Sequence, residues 1–159
     1  MKRGIALALL VGVLVAPSAR AADTAKDVEI AVTREDSATA VSGCKTIHVA
    51  RTGWDIFHLD VVYKFHHRKS WCWRYPRITW KAVSVYVTDV DPNMEYRGVV
   101  SAGGNFYRWC CSKASSGHYS MRQGKFENCI LWFPCTRTEY PWVKIWVRAN
   151  GTWKAETGL

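Results

Sequence analysis

Alternate positions near the C-terminus read Trp142, Lys144, Trp146 and Arg148, with Val143, Ile145 and Val147 between them. Successive side chains of an extended strand point to opposite faces, so two indoles and two cations share one side, with the rings about 13 Å apart. That layout suits stacking on planar or sugar rings while the cations meet anionic groups. The turn that follows decides which face is apolar. A two-residue Asn150-Gly151 turn would pair Val147 with Lys154 and spoil the Val/Ile face. A three-residue loop, Ala149-Asn150-Gly151, with Gly151 in the left-handed position of a G1 bulge, instead pairs Val147 with Trp153 and Ile145 with Ala155. Lys154 then falls opposite Trp146 and Glu156 opposite Lys144, which predicts a cation–π contact and a cross-strand ion pair. Trp80, facing away from Val83 and Val85, joins Trp142, Lys144, Trp146, Arg148 and Lys154 as a candidate ligand-binding set. The rival reading is that a second layer, or the N-terminal segment, covers these indoles as core. Asn150-Gly151-Thr152 matches a glycosylation acceptor, but the hairpin accounts for it.

Other polar residues offer less. His58 and Asp60 share the polar side of an alternating run and could serve as two ligands or an acid–base pair, yet a third member is missing. His66 lies about 27 Å further along a straight strand. His66-His67-Arg68-Lys69 reads as a basic strand end or loop. Asp89 and Asp91 beside Pro92 read as turn formers. No GxSxG, HExxH, P-loop or EF-hand pattern occurs. No catalytic residue, metal ligand or cofactor is assigned.

Six cysteines stand at 44, 72, 110, 111, 129 and 135. An even count in an exported chain points to three disulfides. Cys110 and Cys111 are adjacent and must take different partners, because neighbouring Cα atoms lie about 3.8 Å apart, short of the usual disulfide span. Cys129 and Cys135 flank Trp132-Phe133-Pro134 and are expected to close a local loop. Zinc is the competing reading, and the spacing lacks CxxC and CxxH pairs. Trp71 and Trp73 bracket Cys72 and are expected to pack on its bridge.

The elements that must position these residues are strands. Before them, Lys2 and Arg3 precede the apolar stretch Ile5 to Val15, and Ala19-Arg20-Ala21 supplies a cleavage site, so residues 1–21 read as a signal peptide and the product as secreted or periplasmic. No later apolar run is long enough to span a bilayer. Residues 22–43, with two cations and five anions, read as an acidic leader or tail with one short strand at Val28-Ile30-Val32. Residues 44–159 hold 17 cations, eight anions and all the aromatics: nine Trp, seven Tyr and five Phe. They form the basic Trp-rich domain.

Period-two alternation runs from Asp55 to His66, at Val83-Val85-Val87 and at Val143-Ile145-Val147. Weaker alternation covers Thr46 to Ala50, Met94 to Val100, Phe106 to Cys111, Tyr119 to Arg122 and Phe126 to Trp132. Turns are expected at Tyr75-Pro76, Asp91-Pro92-Asn93, Gly103-Gly104-Asn105, Ser115-Ser116-Gly117, Gln123-Gly124 and Asn150-Gly151. The fold expected is all-β, a small disulfide-bonded antiparallel β-sandwich, with a β-barrel as the alternative. The function expected is a secreted non-catalytic binding module for an anionic extracellular polymer, such as a cell-envelope or acidic polysaccharide. The alternatives are a secreted protein-interaction factor of inhibitor, toxin-like or surface-assembly type and, behind it, an extracellular hydrolase. Its partner is therefore an anionic glycan or an extracellular protein. Nucleic acid fits the charge but not the destination.

Overall fold

The computed structural model describes residues 27–34, 41–55, 57, 59–108, 116–129 and 134–159. The signal-peptide reading, its cleavage after Ala21, His58, Cys110, Cys111 and Trp132-Phe133 fall outside them. Nine strands run in the order β1 (Val28–Arg34), β2 (Ser42–Trp54), β3 (Val61–Arg74), β4 (Arg77–Thr88), β5 (Met94–Arg108), β6 (Ser116–Asn128), β7 (Arg137–Glu139), β8 (Trp142–Arg148) and β9 (Trp153–Gly158). They form two antiparallel sheets, β1-β2-β3-β4 and β5-β6-β8-β9, with the short β7 also on β6. The sheets are open and face one another as a sandwich, which sets the barrel alternative aside. Among the described residues no helix is long and apolar enough to cross a membrane.

Between the layers lie Ile47 and Val49 of β2, Tyr63, Phe65, Trp71 and Trp73 of β3, Phe126 of β6 and Val143, Ile145 and Val147 of β8. Tyr63 stacks on Phe126 with ring centroids 3.8 Å apart and donates a hydrogen bond to Glu139. Period two explains the choice: each strand gives its odd or its even positions to the interior.

Four expectations change. The alternating run begins at Val61, because the described residues between β2 and β3, namely 55, 57, 59 and 60, lie outside both strands. There the Asp55 carboxylate accepts the amides of Leu59 and Asp60, leaving Phe57 and Leu59 exposed. His66 to Lys69 is the middle of β3, not its end. The turns expected at Gly103-Gly104-Asn105 and Gln123-Gly124 lie inside β5 and β6. These glycines make room for neighbours: a Cβ on Gly124 would stand 2.8 Å from the Phe65 ring, and one on Gly104 would stand 3.0 Å from the Tyr119 carbonyl oxygen. The short strand expected at Val28-Ile30-Val32 is present as β1, but as a sheet edge and not as part of a free tail, since it pairs with β2 from Val28↔Arg51 to Arg34↔Lys45.

Two disulfides join the described cysteines, Cys44–Cys72 and Cys129–Cys135. The local loop is as expected. The pairing of Cys110 and Cys111 lies outside the described residues. Trp71 and Trp73 point inward, whereas Cys72 lies on the outer face opposite Cys44. It is Trp80 that stands across from Cys72 in the β3–β4 register. The same alternation that buries the two indoles turns the bridge away from them.

Candidate anion-binding site

The last hairpin has the register its residues dictate. Val147 pairs with Trp153, Ile145 with Ala155, Trp146 with Lys154 and Lys144 with Glu156, and Gly151 sits at φ +78°. The Gly151 amide donates to the Arg148 carbonyl, and the Arg148 amide to Thr152. The tip is docked: Lys45 Nζ donates to the Gly151 carbonyl at 2.8 Å, and the Trp73 ring occupies the space a side chain at 151 would need. Trp142, Lys144, Trp146, Arg148 and Lys154 therefore share the outer face of the second sheet, away from Val143, Ile145 and Val147.

Their contacts alter what this face can do. Lys144 Nζ lies 4.6 Å from the Trp146 ring and 5.0 Å from that of Tyr119, while Lys154 Nζ lies 5.4 Å from the Trp146 ring. The cation–π contact is as expected. The ion pair is not: Glu156 bonds Lys154, its neighbour two positions earlier, because Lys144 is engaged with two aromatic rings. A planar ligand would have to displace ammonium groups from Trp146, so the stripe is a basic surface more than a stacking platform. Trp80, 53% exposed, lies on the outer face of the other sheet, opposite Cys72. The six candidate residues do not form one patch.

A second basic constellation lies between the sheets. β4 and β5 are edge strands of different layers, and between them and β6 a cavity of about 400 Å³ opens. Its walls include Lys81 and Val83 of β4, Gly104 of β5 and His118, Ser120 and Arg122 of β6. None of its lining residues is acidic, and among the described residues no ion pair engages Lys81 or Arg122. Arg122 is held in place by donating to the carbonyls of Gly103 at 3.0 Å and Met121 at 2.7 Å. Lys81 Nζ hangs 5.3 Å from the Phe106 ring.

Behind this wall lies Lys69, fully buried on the inward face of β3. Its Nζ is 2.7 Å from His118 Nδ1 and donates to Ser120 Oγ at 3.1 Å. Ser120 Oγ is in turn 3.1 Å from His67 Nε2, and His67 Nδ1 is 3.1 Å from the Val143 carbonyl. The proton positions follow from this chain. A carbonyl only accepts, so His67 carries its proton on Nδ1, and Nε2 accepts the Ser120 hydroxyl. Lys69 then donates to Ser120 and to His118 Nδ1, which puts the His118 proton on Nε2. Two N–H groups of Lys69 meet two acceptors, and the next acceptor, the His118 carbonyl, is 3.5 Å away. The two shorter bonds use the two N–H groups of a neutral amine, and the long one to the carbonyl is the third that an ammonium would make.

Electrostatics agree with that geometry. Burial, reinforced by Lys81 and Arg122, brings Lys69 down to about 7. Burial brings His67 to about 4 despite its bond to the Val143 carbonyl. Burial, with Lys69, Lys81 and Arg122 adding to it, brings His118 to about 4. Chemically the cleft offers cations with no counter-ion and a hydroxyl whose proton already points at a weak base.

Sequence reasoning missed this site because it ended the strand at His66. The signal was present: Tyr63, Phe65, His67, Lys69, Trp71 and Trp73 keep one parity, apolar at both ends, so the polar pair between them must share the buried face. Asp60 lies exposed in the β2–β3 loop, outside the cleft. Among the described residues the one cluster with metal-ligand spacing is Glu127, Cys129 and Cys135, and both of its sulfurs are spent in a disulfide. No family model, no curated protein and no solved structure matches this chain, so its function is argued from the cleft and the faces around it.

Proposed function

We propose that this protein is an exported, non-catalytic binding module for an anionic polymer of the extracellular or cell-envelope space, and that the cleft between β4, β5 and β6 receives an anionic group of that polymer. The observation that carries the reading is the convergence of Lys81 and Arg122 on one cavity whose lining has no carboxylate, with the Lys69 amine buried behind its His118 and Ser120 wall. Uncompensated cations at a concave, partly dry site favour an anionic ligand over water. The outer row of Lys144, Arg148 and Lys154 adds long-range attraction for the rest of the chain. The disulfides support the oxidising compartment.

The test is calorimetric titration with an acidic polysaccharide and with a neutral one of similar length, at several salt concentrations. Binding of the acidic polymer alone, weakening steeply with salt and reduced about ten-fold by Lys81→Gln, is expected. Equal binding of both polymers, or no loss in Lys81→Gln, counts against the cleft.

One observation favours the alternative of a protein partner. β5 is a 15-residue edge strand along which Val99, Val100 and Phe106 are exposed. Such an edge can accept a strand from another chain. Capture of a defined protein with little salt dependence, abolished by Val100→Pro, selects that reading.

A further inference from the structure

We propose that the group the cleft accepts is a phosphomonoester dianion, and that binding it delivers a proton to the buried amine of Lys69. This rests on the anionic reading of the cleft and deepens it. The charges facing Lys69 come from three strands: His67 beside it on β3, Lys81 on β4, and His118 and Arg122 on β6, while β8 presents only Val143, Ile145 and Val147 on that side. Neither imidazole is charged near neutral pH, so the fixed field at Lys69 is that of two cations. That field, added to burial, keeps the amine down.

A ligand that cancels two positive charges removes the electrostatic part of that penalty and leaves burial alone against the ammonium. A monoanion such as a sulfate ester or carboxylate cancels only one. Phosphomonoesters carry two charges above their second ionisation near pH 6. Geometry supports the same ligand. Lys81, Arg122 and His118 all line the cavity, and with Lys69 on His118 Nδ1 the remaining imidazole N–H is Nε2, so an ammonium, a guanidinium and an imidazole donor are available to a group with three free oxygens. No covalent step is involved. One proton passes from solvent to Lys69 Nζ, and its third N–H turns toward the His118 carbonyl, 3.5 Å away in the free protein.

Phenyl phosphate, phenyl sulfate and benzoate, which share a ring and differ in charge or shape, are titrated calorimetrically at about pH 8 in two buffers of different ionisation enthalpy. Phenyl phosphate is expected to bind about ten-fold tighter than phenyl sulfate and, unlike it, to take up protons from the buffer. Lys69→Met is expected to abolish the uptake. Lys81→Gln, on the exposed rim, keeps the test independent of core packing. With one of the two cations gone, Lys69 is already more protonated before binding, and the uptake falls. Phosphorylated dextran binding tighter than phenyl phosphate supports the site and assigns the ligand to a polymer, and equal affinity supports it and assigns a small molecule. Phenyl phosphate bound no tighter than phenyl sulfate, or bound without proton uptake, overturns the inference while leaving the anion site standing. Failure of all these anions to bind at any pH overturns the anion site itself.

Discussion

Lys69, His67 and His118 are bases held below their ordinary values, and the direction in which they tilt stability with pH is fixed. Between about 7 and 10.5 the unfolded chain binds a proton at Lys69 that the folded chain refuses, so stability rises with pH through that window. Between about 4 and 6.5 the two histidines act in the same sense, and stability falls as pH drops. Thermal melts should therefore climb from pH 7 to pH 9 by several degrees, and Lys69→Met should flatten that limb while leaving the acid limb in place. A melting point flat over the same range would show that Lys69 keeps its proton in the fold. A second residue-scale prediction concerns Gly124. Ala there brings a Cβ against the Phe65 ring at 2.8 Å, and denaturant unfolding should report a loss of about 1–3 kcal/mol. Neither effect was legible in the chain. The parity that turns His67 and Lys69 inward is written in the chain but their loss of proton affinity is not, and a glycine that marks a turn looks the same in sequence as one that makes room for a ring.

Single elements differed in how much of themselves they disclosed. The β8–β9 hairpin was legible to the residue because three constraints coincide: the Val/Ile parity, the position of Gly151 and the requirement for one buried face. Only the partner of Glu156 escaped, since Lys144 chooses between a carboxylate and the rings of Tyr119 and Trp146, a balance of small terms that no pattern encodes. Gly151→Val, at φ +78° and under Trp73, should destabilise the fold by about 2 kcal/mol or more in urea, whereas Asn150→Ala should lose much less. The two bridges separate in the same experiment. Cys44–Cys72 closes 28 residues and Cys129–Cys135 closes six, so replacing the first pair by serine should cost about 3–4 kcal/mol and the second about 2. Comparable losses would mean that strand packing, not loop closure, sets their contributions.

At the level of the whole molecule, the sandwich was legible because short strands with frequent turn residues leave few other architectures. Its cleft was not, because it belongs to neither sheet: Lys81 comes from one layer and His118, Ser120 and Arg122 from the other, brought together only by how the layers stack. The charge asymmetry along the chain pointed to an anionic partner but not to a place for it. The basic outer face of β8 and the cleft lie on opposite sides of the second sheet. Neutralising Lys144 and Lys154 together should therefore slow association with a polyanion and reduce its salt dependence, yet leave the affinity for a small anion unchanged. Stopped-flow rates beside equilibrium titrations distinguish the two.

The cleft's mouth is bounded by two edge strands that share no ladder, and the layers are tied beside it by the Ser116 amide of β6 bonding the Pro76 carbonyl ahead of β4. A ligand that bridges Lys81 and Arg122 would act as a clasp between layers. Its arrival would be felt along the whole length of β4 and β5, where amide hydrogens now protected only by the inner neighbour of each strand would exchange with solvent more slowly and in concert.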